Sequence, residues 1–134
     1  MEVAYAAEAD GLPDPGEVVW TWVPYEDDPQ QGKDRPVIVL ARVAGQRGPD
    51  LLCLQLTSKD HDRDAEQESS WGRHWLDVGT GDWDRERRPS EVRIDRLLRL
   101  PEADVRREGA ALDRDVFDEV LAAASQFHPE LRAG

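Results

Sequence analysis

Two neighbouring stretches decide the fold: Pro13-Asp-Pro-Gly-Glu-Val-Val-Trp-Thr-Trp-Val-Pro24 and Gly32-Lys-Asp-Arg-Pro-Val-Ile-Val-Leu40. The first opens with a Pro/Gly turn and continues with β-branched and aromatic residues, which predict a strand over residues 17–23. The second becomes wholly apolar after Arg-Pro, which predicts a central strand over residues 36–42 with proline at its first position. Arg35 therefore lies at the mouth of the polar loop between the two strands, where the sheet edge can hold it against a ligand.

The β pattern continues beyond these strands. Three further strands are predicted: Leu51–Thr57, His74–Val78 and Ser90–Leu100. The last alternates between apolar and polar residues, so that Arg93 and Asp95 share one face of the strand. The following residues 101–107 are predicted to form a single helical turn, because proline suits the first position of a helix.

One helix is predicted, over residues 114–126. Asp113 occupies the N-cap position, and the apolar residues that follow fall on a single stripe: Val116, Phe117, Val120, Leu121 and Ala124. About five antiparallel strands and one helix indicate a mainly β (α+β) fold. We expect an antiparallel barrel or curled sheet with the C-terminal helix packed against it.

The length of 134 residues is sufficient for a single domain with its own core. We place this domain at residues 13–128, between a flexible acidic tail at 1–12 and a second tail at 129–134. The sequence has no run of about 18 apolar residues, and its N-terminus lacks the basic start and apolar stretch of a signal peptide, so neither a membrane span nor a signal peptide is expected. Cys53 stands alone in an apolar run, so it is expected to be a core residue and no disulfide framework is expected. These features favour a cytoplasmic protein.

The net charge of −12 argues against general nucleic-acid binding, which is typical of basic domains. The charge is unevenly distributed, however. Residues 1–34 contain nine acidic residues and one lysine, whereas residues 35–107 contain 14 basic and 14 acidic residues. A local arginine cluster can therefore exist within an acidic protein, and the remaining acidic residues are expected to form a solubilising surface.

Several polar residues are candidates for chemistry at the strand ends. Arg35 can bind a phosphate through its fork of donors, or bond loop carbonyls as a structural residue. Thr57 and Ser58 can donate to a phosphate or cap the loop that follows them. Arg93 and Asp95 lie roughly 7 Å apart along one strand face. They can act as an acid and a base in RNA cleavage, or form a surface ion pair.

No metal or cofactor is expected. The segment Asp60-His-Asp-Arg-Asp64 contains ligand-type residues, but it has no recognised metal-binding spacing. The phosphate-binding glycine loops and the nucleophile elbow are also absent from the sequence. Trp71, Trp75 and Trp83 lie in or beside charged loops, where they could stack on bases.

Taken in order, these segments resemble the PemK/MazF family of bacterial toxins over roughly residues 13–125. The resemblance rests on Pro-Gly-Glu-Val-Val-Trp, Gly-Lys-Asp-Arg-Pro-Val-Ile-Val-Leu, Leu-Gln-Leu-Thr-Ser and Ser-Glu-Val-Arg-Ile-Asp-Arg-Leu-Leu-Arg-Leu, followed by the final helix. It implies an SH3-like barrel that forms a homodimer and pairs with a cognate antitoxin. It also implies a metal-independent endoribonuclease that cleaves single-stranded RNA sequence-selectively by 2′-OH attack.

The resemblance assigns roles to individual residues. Arg35 matches the family's loop arginine, Thr57 its strand-end hydroxyl, and Arg93 and Asp95 its catalytic Arg-x-Asp. The expected substrate-binding residues are Ser58, Lys33 and Trp83.

The sequence also departs from the family pattern. Residues 24–36 lack the histidine that some members carry, Arg96 replaces the usual glutamine after Arg-x-Asp, and the loop over residues 59–75 is longer. Two alternatives follow: a catalytically inactive barrel that binds protein or nucleic acid, or a poison of a target such as gyrase, like the related CcdB toxins.

Overall fold

The computed structural model describes residues 2–3, 14–58 and 72–133. The elements, in chain order, are β1 (Glu2–Val3), β2 (Glu17–Pro24), β3 (Gly32–Gly45), β4 (Gly48–Thr57), β5 (Trp75–Gly79), β6 (Ser90–Arg93), β7 (Leu98–Pro101), a 3₁₀ turn (Glu102–Asp104), β8 (Arg106–Ala111), α1 (Arg114–Ser125) and β9 (Arg132–Ala133). The predicted strands at 17–23, 36–42, 51–57 and 74–78 are confirmed, although β3 and β4 are longer than predicted. The mainly β class with one C-terminal helix is also confirmed.

The main sheet is antiparallel, with the strand order β5-β6-β4-β3-β2-β8. Strand β7 pairs with β4 beside β6, so two short strands share one edge of β4. The prediction of one continuous strand over residues 90–100 is therefore wrong, because the chain leaves the sheet between the end of β6 and the start of β7. At this break the Ile94 amide donates to the His74 carbonyl at 2.9 Å, and the Asp95 side chain turns back towards Arg93.

Apolar side chains are buried on both faces of the central strands. The larger cluster lies between the sheet and α1 and includes Ile38, Leu54 and Phe117. The second cluster lies on the other face and contains Val19 and Val37 together with Leu98 of β7. Burial on both faces explains why β3 and β4 have nearly continuous apolar runs instead of an alternating pattern.

Helix α1 confirms the predicted stripe. Its residues Phe117, Val120, Leu121 and Ala124 are buried, and Val116 packs at the edge of the same cluster. Asp113 occupies the predicted N-cap position, but its side chain makes no capping hydrogen bond. Its backbone carbonyl accepts the Phe117 amide at 2.9 Å. Packing of the apolar face therefore holds the helix in place.

Replacing Phe117 by alanine should lower the free energy of unfolding by about 3–5 kcal/mol, because the fully buried ring leaves a cavity between helix and sheet. Urea denaturation followed by circular dichroism measures this change. Asp118→Ala, one residue along on the exposed face of the helix, is the control and should have a small effect. Equal losses in the two variants would contradict this packing.

Strand β8 is the main element that the sequence did not predict. Its segment has little apolar alternation, and a helical turn was expected over residues 101–107. The structure places a 3₁₀ turn there and then pairs β8 with β2. Arg107 of β8 stabilises this pairing, since it donates two hydrogen bonds to the buried carboxylate of Glu17 in β2, at 2.6 and 2.7 Å. This ion pair joins residues that lie 90 positions apart in the sequence.

The ends of the chain also differ from the prediction. Strand β1 pairs in parallel with β9, and Leu131 is buried in the larger cluster. The tail predicted at 129–134 is therefore wrong over part of its length, whereas residues 4–12 lie outside the described part of the chain. No helix in the described part is both long enough and apolar enough to span a membrane. Cys53 is a core residue, as predicted, and burial raises the pKa of its thiol.

Candidate functional site

A cleft of about 200 Å³ opens where the start of β3 meets the end of β4. The pairing of Val37 with Gln55 brings these two strand ends together. The cleft is lined by Trp20, Lys33, Asp34, Arg35, Pro36, Leu56, Thr57, Ser58, Trp83, Asp84, Arg88 and Ser90. Five of the seven residues singled out from the sequence thus line one cleft: Lys33, Arg35, Thr57, Ser58 and Trp83.

The charged residues of the cleft divide into paired and unpaired groups. Asp84 binds Arg88 at 2.8 Å, and Asp34 binds Arg106. Within residues 14–58 and 72–133, neither Lys33 nor Arg35 forms an ion pair. Arg35 is half-buried, so its charge is only partly screened by water. An anion that enters the cleft can therefore reach the Arg35 guanidinium, whereas the two carboxylates of the cleft, those of Asp34 and Asp84, are paired with Arg106 and Arg88.

Trp83 lines the cleft, but its ring is only 5% exposed. Its indole N–H donates to the Ser90 hydroxyl at 3.0 Å, and its carbonyl accepts the Trp20 indole N–H at 3.1 Å. A Cβ atom at Gly81 would lie 2.0 Å from the ring, so this glycine is required for the close packing. The expectation that Trp83 stacks on a base is therefore wrong: the residue forms a rigid wall of the cleft.

Arg93 and Asp95 do not line this cleft. They form a buried pair beside it, in which Arg93 donates to both carboxylate oxygens of Asp95 at 2.9–3.2 Å. The backbone amide of His74 donates to Asp95 Oδ1 at 2.6 Å. Glu26, from the loop between β2 and β3, contacts the Nη2 atom of Arg93 at 2.6 Å, the same atom that donates to Asp95 Oδ2. The pair is therefore an ion pair, as one alternative from the sequence proposed, but it lies inside the protein and not at the surface.

Arg96 lies beside the loop that carries Glu26. It donates to the Pro24 carbonyl at 2.9 Å and lies 3.9 Å from Glu26. Burial lowers the pKa of Arg96, and the positive charges of Arg93 and Arg35 lower it further. Arg93 and Arg96 both contact Glu26, and together with Arg35 of the cleft they are a group of three positive charges. We call it the arginine cluster.

The pKa of Arg93 shifts in the opposite direction. Burial by itself lowers this pKa, but the hydrogen bond and charge of Asp95, together with those of Glu26, outweigh it and raise the pKa above its ordinary value. The guanidinium of Arg93 therefore holds its proton firmly. This favours a role in stabilising negative charge over a role as a proton donor.

The sequence pattern did not assign a functional role to Glu26 or Arg96. For Arg96, the available signal was its position directly after Arg-x-Asp, where it departs from the family pattern. For Glu26, the only signal was the acidity of the loop that precedes β3. Neither signal indicates that the two side chains meet at Arg93, because residues 26 and 93 are brought together only by the folded sheet.

Within the described residues, no group of three or more His, Cys, Asp or Glu side chains could hold a metal ion. The segment Asp60–Asp64, whose residue types are those of metal ligands, lies outside the described part of the chain.

A model of the PemK-like, MazF-like toxins of type II toxin–antitoxin systems matches residues 14–128. The chain belongs to this family. The match includes Arg35, Thr57, Arg93 and Asp95, as well as the loop that carries Glu26. The predicted membership in the PemK/MazF family is therefore confirmed.

The structure of this PemK/MazF-like toxin is similar to a chain in the crystal structure of MazE–MazF (Form II) from Deinococcus radiodurans. The TM-score is 0.56 with 18% sequence identity, and the similarity covers 89% of this chain and 97% of that chain. At this identity the likeness supports the fold alone. No curated protein matches the chain.

Proposed function

We propose that this PemK/MazF-like toxin is a metal-independent endoribonuclease that cleaves single-stranded RNA sequence-selectively. The observation that supports this most directly is the position of Arg35 in one cleft with Thr57, where it forms no ion pair with any described residue, together with the buried Arg93–Asp95 pair. Guanidinium groups match the geometry of a phosphate, and a partly buried site strengthens their attraction for it. Arg35 and Thr57 hold the scissile phosphate, while Lys33 and Ser58 contact the chain beside it.

The proposed reaction needs no external nucleophile, because the ribose supplies its own 2′-OH. Asp95 accepts the proton of this hydroxyl, the bond from O2′ to phosphorus forms, and the bond from phosphorus to O5′ breaks. Arg93 stabilises the charge that develops on the phosphorane, and the departing O5′ takes a proton from solvent. The products are a 2′,3′-cyclic phosphate and a 5′-hydroxyl end.

The surroundings of Asp95 favour a second candidate function. Both carboxylate oxygens already accept hydrogen bonds, from Arg93 and from the His74 amide, and only 9% of the side chain is exposed. Asp95 can act as a base only if the substrate draws Arg93 partly away from it. If Arg93 stays bound to Asp95, the barrel binds RNA or protein without cleaving it. The nuclease and the binding barrel therefore differ in whether the substrate separates Arg93 from Asp95.

We further propose a cognate antitoxin as the partner, a homodimer as the assembly and the cytoplasm as the location. The structurally similar MazE–MazF crystal structure and the family's description as type II toxins support the first of these. A gyrase-type target poison would not require the Arg93–Asp95 pair, so the burial and order of that pair favour the nuclease.

The test is cleavage of a random-sequence RNA pool by purified protein that is free of antitoxin. We expect cleavage that persists in EDTA and leaves cyclic phosphate ends. The matched control is a 2′-O-methyl pool, which lacks the nucleophile and should stay intact. Absence of cleavage in the RNA pool would favour the binding barrel, and loss of cleavage in EDTA would contradict the metal-independent mechanism.

A further inference from the structure

The loop at residues 25–31, between β2 and β3, lies against the arginine cluster. Its Glu26 carboxylate contacts Arg93 at 2.6 Å and lies 3.9 Å from Arg96. The Glu26 side chain is 54% exposed, whereas that of Arg93 is 7% exposed. Glu26 is therefore the solvent-accessible partner of a buried guanidinium.

The structure holds this loop closed at its base. The Tyr25 amide donates to the Gln31 carbonyl at 2.8 Å, and Arg96 donates to the Pro24 carbonyl at 2.9 Å. Arg96 thus binds the start of the loop while Arg93 binds its acidic side chain. The loop therefore occupies Arg93, which the proposed function needs near the phosphate, and Arg96 beside it.

The charges of the site are not balanced. The arginine cluster contributes three positive charges, and Asp95 and Glu26 contribute two negative charges, which leaves one net positive charge. A carboxylate and a phosphodiester are both anions that a guanidinium can bind through paired oxygens. Glu26 is the carboxylate that is exposed and carried by a loop, so it is the group that can leave.

We propose that Glu26 occupies the phosphate position of the arginine cluster in the free toxin, and that RNA binds only by displacing it. This inference rests on the proposed function, since it takes RNA as the competing ligand. It also explains why an acidic segment precedes β3 in a nuclease: the loop restrains the site by imitating the substrate's charge. The apparent dissociation constant for RNA is then the intrinsic value divided by the fraction of molecules in which the loop is open.

The test compares three variants with the wild-type protein by fluorescence anisotropy at fixed salt. The probe is a non-cleavable 2′-O-methyl RNA oligonucleotide of mixed sequence. Glu26→Gln removes the charge, Glu26→Asp keeps the charge but retracts it by one methylene, and Asp27→Asn removes the same charge from the neighbouring residue. Asp27 is exposed and forms no ion pair among the described residues, so it is a matched control.

Glu26→Gln should tighten binding about tenfold, the factor for a loop that is closed in about nine molecules of ten. Glu26→Asp should tighten binding severalfold, because its carboxylate no longer reaches Arg93, whereas Asp27→Asn should change it by less than about twofold. Equal effects of Glu26→Gln and Asp27→Asn, or an unchanged Glu26→Asp, would overturn the inference, because only the net charge would then matter.

The inference and the proposed function can fail separately. If the wild-type protein cleaves RNA but the Glu26 variants bind the probe with the same affinity as the wild type, the displacement inference is wrong and the proposed nuclease function is retained. If no variant cleaves RNA but the ranking of affinities holds, the nuclease is wrong and the displacement stands. Absence of probe binding by all four proteins would overturn the displacement. If Glu26→Gln fails to fold, the test rests on Glu26→Asp, which keeps the charge. Tighter probe binding by Glu26→Asp than by the wild type supports the displacement, and unchanged binding overturns it.

Discussion

Replacing Asp95 by asparagine should lower the rate of RNA cleavage by about 10²–10⁴, the usual contribution of a general base. Asparagine has the same shape and keeps an oxygen that can accept the His74 amide, a bond of 2.6 Å in the wild-type protein. It cannot take the proton of the 2′-OH, however. The measurement is the single-turnover cleavage rate at saturating protein, which separates the chemical step from binding.

Asp50→Asn is the matched control for this substitution. Asp50 pairs with Arg99 at 2.8 Å near the turn that joins β3 and β4, at the opposite end of that hairpin from the cleft. The control makes the same chemical change in another Arg–Asp pair, and the cleavage rate should stay close to that of the wild type. If Asp95→Asn cleaves as fast as the wild type, Asp95 is not the base and the binding barrel becomes the better description.

Asp95→Asn should also reduce stability, because Arg93 is buried and loses its closest charged partner. Removing one partner of a buried ion pair typically costs several kcal/mol, although Glu26 remains to compensate part of the charge here. Cleavage rates must therefore be compared well below the unfolding temperature of the variant. A thermal melt followed by circular dichroism establishes that range.

Replacing Arg35 by alanine should lower cleavage by about 10²–10³, the loss typical when one donor to a developing negative charge is removed. The effect on stability should be small. Within residues 14–58 and 72–133 Arg35 forms no ion pair, so its removal leaves no carboxylate without a partner. Arg35→Lys should restore only part of the activity, because an ammonium group cannot bind two phosphate oxygens in the same fork.

Arg47→Ala removes the same charge at the exposed turn between β3 and β4 and is the control for general electrostatic attraction of RNA. Cleavage rates and thermal melts of both variants give the comparison. If Arg35→Ala and Arg47→Ala lose activity equally, Arg35 contributes only to the overall field of the protein. A large loss of stability in Arg35→Ala would instead indicate a structural arginine, the alternative that the sequence left open.

Much of the fold could be predicted from the sequence because its signals are local. Strands β2, β3 and β4 follow from continuous apolar and β-branched runs, and α1 follows from the spacing of Phe117, Val120 and Leu121. Arg35 and Thr57 could be placed at strand ends for the same reason. Once β3 and β4 pair, the antiparallel register brings these two residues to one cleft.

Long-range contacts decided the rest, and no local pattern encodes them. Strand β8 pairs with β2, where Arg107 reaches Glu17, and the break between β6 and β7 arises where Asp95 turns back to Arg93. Trp83 has a typical surface neighbourhood in the sequence, but the fold buries its ring. Likewise, the acidic sequence of the loop at residues 25–31 predicts solvent-exposed surface, but the folded sheet places its Glu26 against Arg93. The sequence by itself determined strands β2 to β5, the helix and the residues available for chemistry. Only the tertiary structure decided which charges meet, because the energy of an ion pair depends on distance and burial, and both are set by the packing of residues far apart in the chain.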